Sequence, residues 1–264
     1  MKTLERTERV GASPDAGADR KPVGSGSENG FGIFQINAGI KTNYHYVLWY
    51  GSDRTILIKH ENYPYALPEI GNPKWIYFSS VNETAFPFHY TVTDYLDSHP
   101  ETKLAFQPGK FEIKLGKEKL QKLYQHSKIF FCNVEEAEKI LGLEKEKSDI
   151  KELLQKITEL GPEMAVITDG PKGAYAYDGK EFFFMPSYPD PKPPYNRTGA
   201  GDAFSATVVV AIILGKTLPE ALAWGGINAM SVVQQVGAQR GLLSREKLEE
   251  YLKNASEDYK AKRI

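Results

Sequence analysis

The spacing of apolar residues changes several times along the chain, and each change predicts an element. Between residues 43 and 60, NYHYVLWYGSDRTILIKH places two runs rich in aromatic and β-branched residues on either side of Gly51-Ser52-Asp53, the pattern of a hairpin with a short turn. From Lys74 onward, short apolar runs alternate with stretches of helical spacing. KWIYFS precedes a predicted helix over 87–98, KLAFQ one over 116–126, and KIFFC one over 134–141. That alternation predicts a parallel sheet covered by helices, because parallel neighbours are joined by crossovers. A helix over 150–160 leads into MAVIT at 164–168, and AYAYDGKEFFF then reads as a hairpin turning at Asp178-Gly179. The last third is mainly helical, over 199–214, over 219–236, and from Ser244, where Ser-Arg-Glu-Lys supplies a cap.

Residues 1–30 break this pattern. They carry almost no large apolar side chains, so burial cannot offset the entropy of ordering them, and they are expected to be disordered or a tail outside a folded domain over 31–264. Gly24, Gly26 and Gly30 follow no predicted strand and match no dinucleotide fingerprint, so they read as linker. With 264 residues, 41% hydrophobic and 25% charged, the chain can bury one sizeable core. Its 33 basic and 34 acidic residues leave a net charge of -1, which points to no nucleic-acid or anionic-membrane partner. A small anionic ligand would need local groups instead.

Cys132 is the single cysteine, which rules out an internal disulfide and a cysteine zinc site and makes a reducing, cytoplasmic setting the expectation. The five histidines show no HxxxH or HExxH pairing. The longest apolar run, over 206–214, is about half of what spans a bilayer, and the N-terminus lacks the apolar stretch of a signal peptide.

Candidate chemistry concentrates in PPYNRTGAGDAFSATVVVAIILG, where a Gly-Ala-Gly turn opens a long apolar helix with Asp202 in its first turn. Small residues let a phosphate approach the backbone, and the unpaired N–H groups and helix dipole at that end stabilise its charge. Gly199, Ala200 and Gly201 would then form an anion hole, and Asp202 beside it could take the proton of an attacking hydroxyl. Alternatively, the glycines merely permit a tight turn and Asp202 is an acid that favours a helix start. GAGD by itself does not separate the two readings.

The longer string TGAGDAF, followed by a helix of small and apolar residues, resembles the C-terminal signature of the ribokinase-like, or PfkB, carbohydrate kinases. The resemblance implies a three-layer α/β/α sandwich with a mostly parallel sheet and a small β lid, and an ATP-dependent phosphotransferase acting on a hydroxyl of a sugar or nucleoside. Asn133-Val134-Glu135-Glu136 resembles the family's N-x-x-E motif, which implies that Asn133 and Glu136 position Mg²⁺; taken alone, the same residues are a capped helix start.

Thr168-Asp169-Gly170-Pro171-Lys172-Gly173 resembles its T-x-G-x-x-G nucleotide loop, implying ATP contacts at Thr168, Gly170 and Gly173; a glycine-rich strand-end turn is the plainer reading. Asn228 and Val236-Gly237-Ala238-Gln239 are similar to the stretch flanking the adenine pocket and monovalent-cation loop. The hairpin at 43–60 resembles the family's lid strands, which sometimes pair between subunits, although Tyr44, Tyr46, Trp49 and Tyr50 also suit ordinary sheet packing.

The chain departs from the family pattern in two places. Asn196 stands where the family usually has Asp, leaving a monovalent-cation site open to question. The family's early Asp and Gly-Gly-x-x-x-Asn sugar loop do not appear before residue 37, so the expected fold is truncated at the N-terminus. That second departure keeps alive a nucleotide-binding or regulatory module that turns over no acceptor. Gln107-Pro108-Gly109 reads either as a strand-end turn or as part of the sugar site.

Overall fold

The computed structural model describes residues 8–10, 44–50, 53–59, 61–63, 65–143 and 148–264. The expected tail over 1–30, apart from 8–10, and Gly24, Gly26 and Gly30 lie outside the described residues. The chain divides into two compact units, 1–71 and 72–264.

The first unit is a three-stranded antiparallel sheet. Strands β2 (Tyr44–Tyr50) and β3 (Asp53–Lys59) pair in the register Tyr50↔Asp53, so two residues connect them, as the predicted hairpin requires. Strand β1 (Glu8–Val10) adds to the outer side of β2, with Arg9 opposite Tyr46. A three-residue strand at a sheet edge leaves little periodic signal, which is why the sequence placed it within a tail. In the order β1-β2-β3, no strand among the described residues pairs with the outer edge of β3, and Leu57 and Ile58 on it are exposed.

The second unit carries a seven-stranded sheet. Strands β4 (Trp75–Phe78), β5 (Lys103–Phe106), β6 (Ser127–Asn133) and β7 (Ala165–Thr168) run parallel in that order. Their crossovers hold α1 (Phe86–Ser98), α2 (Lys110–Leu115), α3 (Gln121–His126), α4 (Val134–Leu141) and α5 (Ile150–Glu159). Successive crossovers of one hand, moving in one direction, stack their helices on one face. The hairpin β8 (Ala174–Tyr177) and β9 (Phe182–Met185) then continues the sheet antiparallel, and β10 (Lys262–Arg263) closes its edge on β9. Helices α6 (Ala200–Ile213), α7 (Leu218–Val233) and α8 (Arg245–Lys253) cover the other face.

Strand alternation divides the core in two. Leu104, Phe106, Phe130, Cys132, Ala165 and Ile167 point to the crossover helices, while Ala105, Ile129, Phe131, Val166 and Ala176 meet α6 and α7. Cys132 is buried within this packing, and burial pushes its thiol pKa well up. The result is the expected α/β/α sandwich.

Two boundaries differ from expectation. The helix predicted over 116–126 begins only at Gln121, and an unpredicted short helix, α2, precedes it and ends at Gly116, whose φ of 89 favours glycine. The helix predicted to reach 236 stops at Val233, whose carbonyl accepts the N–H groups of Tyr195 and Asn196 at 2.8 and 3.1 Å. Among the described residues, no helix is long and apolar enough to cross a membrane.

Candidate active site

The carboxyl ends of β4 to β7 lie side by side, with Phe78 paired to Phe106, Phe106 to Phe130, and Asn133 to Thr168. In an open α/β sheet this rim is where ligands bind, because the loops leaving it are free of sheet pairing. Three of the singled-out segments emerge here, Gln107, Asn133 to Glu136 and the Thr168 loop, beside Tyr77-Phe78 at the end of β4.

The turn before α6 is built by tertiary contact. Asn196 is buried, its backbone N–H bonds Val233, and its side-chain oxygen accepts the N–H of Thr198 at 2.9 Å. Gly199 then takes φ 81, the left-handed region, and a Cβ there would meet the Ala238 Cβ at 2.5 Å. Only glycine permits that approach, and it seats the turn before α6 on the Gly237-Ala238 loop. Gly201 is the opposite case: an added Cβ would find no atom within 4 Å. The turn is therefore tight where it meets protein and open where it faces outward.

The N–H groups of the first helical turn have no partners within their own helix. The Ala200 N–H leans to the Arg197 carbonyl at 3.4 Å, and the regular ladder begins with Ala203 to Gly199 at 2.8 Å. A 14-residue helix with a glycine turn at its start thus presents backbone donors and a positive dipole end next to the exposed Asp202.

Asp202 does not stand alone. Its Oδ1 accepts a hydrogen bond from Gln107 Nε2 at 3.0 Å, and the Gln107 carbonyl oxygen accepts one from the Tyr77 hydroxyl. Burial, and next the Asp202 charge, push the Tyr77 hydroxyl pKa well above its usual value, while a bond with Ser205 opposes the shift. The sequence left Gln107 between turn and site; its place just beyond a parallel strand was the one available signal. Nothing in the sequence marked Tyr77.

Asn133 and Glu136 form a reciprocal capping box at the start of α4: Asn133 Oδ1 accepts the Glu136 N–H, and Glu136 Oε2 accepts the Asn133 N–H, each at 2.9 Å. The Glu136 pKa is raised, chiefly by burial; the Asn133 bonds and Lys139 oppose this, and the Asp202 charge adds to it. The charge of Asp202 thus reaches Glu136 across the rim. Among the described residues no group of three or more His, Cys, Asp or Glu could hold a metal.

The Thr168 loop follows as a 3-10 turn over Gly170–Lys172, closed by the Asp169 N–H on the Gly173 carbonyl at 2.8 Å. Gly173 has φ 114, and a Cβ there would lie 2.2 Å from the Met185 carbonyl oxygen, so its glycine is needed for strand packing. Gly170, at φ 51, has open space around it. Asn228 is buried in α7, where its amide donates to Thr207 Oγ1 at 2.7 Å and accepts the Leu243 N–H at 3.0 Å. It ties α6, α7 and the loop carrying Gly237 together.

Beneath the rim lies Glu112, which no sequence motif marked. Its fully buried carboxylate accepts bonds from the N–H groups of Val81 and Gly109, at 2.8 and 2.9 Å, and from the Ser80 hydroxyl at 2.9 Å. His89 Nε2 lies 3.5 Å away, beyond a well-formed hydrogen bond. Although burial works against ionisation, these donors outweigh it and hold the carboxyl below its usual range. Glu112 thereby pins together the loops leaving β4 and β5.

Comparison with known proteins places this arrangement among kinases. The ribokinase of Bacillus subtilis is 37% identical over 93 residues, 35% of this chain and 31% of the relative. The cytidine kinase of Thermococcus kodakarensis is 32% identical over 120 residues, 45% of this chain and 41% of the relative. Over those alignments the chain spans about a third to two fifths of each relative's length. Among solved structures, Arabidopsis thaliana ribokinase complexed with ribose and ATP has a TM-score of 0.63 at 21% identity, over 76% of this chain and 65% of that one. The Methanocaldococcus jannaschii nucleoside kinase has a TM-score of 0.58 at 22% identity, over 71% and 58%. These two likenesses establish the fold. The pfkB family carbohydrate kinase model matches residues 33–245, most of the chain, and the protein belongs to that family.

Proposed function

We propose that this protein transfers the γ-phosphoryl group of ATP to a hydroxyl of a sugar or nucleoside. The observation that carries the reading is the open first turn of α6: space above Gly201, the N-terminal end of the helix and Asp202 lie together at the rim of the parallel strands. In this reading the acceptor oxygen attacks the γ-phosphorus in line, its proton passes to Asp202, and the bond to the departing ADP oxygen breaks with its electron pair going to ADP. The N–H groups of Ala200, Gly201 and Asp202 stabilise charge on the transferred group.

Thr168 and Gly170 line the nucleotide side. Gly173, Gly237 and Asn228 serve by shaping the loops, since the side chain of Asn228 is spent on Thr207 and Leu243. Asn133 and Glu136 would hold Mg²⁺, mainly through its waters, and the ion would neutralise phosphate charge. Asn196, an amide in place of the family's carboxylate, already accepts the Thr198 N–H, and this supports leaving a monovalent cation out of the scheme. The β3 edge, unpaired among the described residues and carrying the exposed Leu57 and Ile58, supports a homodimer formed by strand pairing.

The deciding experiment pairs ATP calorimetry with phosphorylation of a panel including ribose and cytidine. Turnover that disappears in Asp202→Asn while ATP still binds supports the base role. Undiminished turnover in that variant overturns it. ATP binding without phosphorylation of any acceptor would instead mark a nucleotide-binding module.

A further inference from the structure

Three side chains from three separate parts of the sheet and helix layers meet at one point. Tyr77 comes from near the end of the edge strand β4, Gln107 from the residue after β5, and Asp202 from the start of α6, separated in sequence by 30 and 95 residues. Their hydrogen-bonding capacities allow one consistent arrangement. An ionised carboxylate only accepts, so Gln107 must turn its amide N–H to Asp202, and its carbonyl oxygen then faces Tyr77, which must donate. Tyr77 can hold that role, because burial and the neighbouring carboxylate keep its hydroxyl protonated at any physiological pH.

An amide of this kind neither takes nor gives a proton at neutral pH, and it does not reach past Asp202. What it controls is which carboxylate oxygen is free. Oδ1 is held by Gln107 at 3.0 Å, which leaves Oδ2 for the acceptor. A carboxylate in the first turn of a helix, exposed to solvent, would otherwise rotate among its side-chain rotamers.

We propose that Gln107, clamped by Tyr77, is a positioning residue that fixes the Asp202 carboxylate so that its second oxygen meets the acceptor hydroxyl; this rests on the reading of Asp202 as the base. Nothing in the motif reading of the chain assigns a role to Tyr77, and Gln107 joins the site only through the fold.

The test measures kcat and KM for phosphoryl transfer from ATP to the acceptor found in the panel, or to water where none is found. The variants are Gln107→Leu, Tyr77→Phe, Asp202→Asn and the double variant Gln107→Leu/Asp202→Asn. Expected is a fall in kcat of about 10- to 100-fold in Gln107→Leu, the scale of a misplaced reacting group, with KM for ATP and calorimetric ATP affinity within about twofold. Tyr77→Phe, which loosens Gln107 without removing it, should lose about 3- to 10-fold. In the Asp202→Asn background the Gln107 change should add nothing further, because the carboxylate it positions is gone.

Unchanged kcat in both Gln107→Leu and Tyr77→Phe, with Asp202→Asn inactive, overturns the positioning role and leaves the base intact. Full activity of Asp202→Asn overturns the base reading itself. Melting temperatures of all variants are compared, and a kcat loss that follows unfolding in Gln107→Leu, with normal kcat in a well-folded Tyr77→Phe, also counts against the proposal.

Discussion

Gly199 and Gly201 sit two residues apart in the same turn, and the structure assigns them opposite duties that a pair of alanine substitutions can separate. At Gly199 the backbone has φ 81, which costs an alanine about 1–2 kcal/mol. The new methyl would also lie 2.5 Å from the Ala238 Cβ and 2.9 Å from its Cα, and forcing that contact open adds about 1–3 kcal/mol. The sum, about 2–5 kcal/mol, lowers the melting temperature of a domain of this size by roughly 4–20 °C, at about 2–4 °C per kcal/mol. At Gly201 a methyl meets no atom within 4 Å and the residue is already helical, so Gly201→Ala should leave stability unchanged or raise it by up to about 1 kcal/mol. The same methyl would stand where a phosphate must approach the N–H groups, and phosphoryl transfer should fall by about 100-fold. Urea unfolding and ATP calorimetry on both variants make the check. If Gly201→Ala unfolds as readily as Gly199→Ala, or if Gly199→Ala melts with the unmodified protein, the assignment of one glycine to packing and the other to ligand access is wrong.

Other consequences follow from the buried polar groups. Glu112→Gln turns an amide N–H toward donors now satisfied by the carboxylate, and should destabilise by about 2–4 kcal/mol at neutral pH. Because the folded-state pKa of Glu112 is depressed, its contribution is full above the unfolded carboxyl value and is lost as pH falls through the folded value. The stability gap between Glu112→Gln and the unmodified protein, followed by urea unfolding, should therefore shrink as the solution is acidified below about pH 4.3. Asn228→Ala strands the Leu243 N–H and should cost about 2 kcal/mol in the same assay. Gly173→Ala, with its methyl 2.2 Å from the Met185 carbonyl oxygen and φ 114, should lose about 3 kcal/mol or more, read as a lower melting temperature.

The apolar pattern and a few local motifs determined much of this protein. The alternation of KWIYFS, KLAFQ, KIFFC and MAVIT with helical stretches dictated a parallel sheet, because period-2 and period-3.6 burial are local properties of the chain. TGAGDAF announced a family and a glycine turn ahead of a helix for the same reason: its meaning lies in consecutive residues. The capping-box reading of Asn133 and Glu136 was likewise open to inspection, and the structure contains that box.

Only the tertiary structure decided which glycine is spent on packing and which faces open space, since the answer depends on Ala238, 39 positions away in the chain from Gly199. It alone ended α7 at Val233, where the carbonyl serves Tyr195 and Asn196. It alone gathered Tyr77 and Gln107 around Asp202 and buried Glu112 beneath them, because hydrogen bonds between side chains far apart in sequence leave no periodic trace. The sequence thus named the turn that opens α6, and the fold supplied the neighbours that give each residue of that turn its own task.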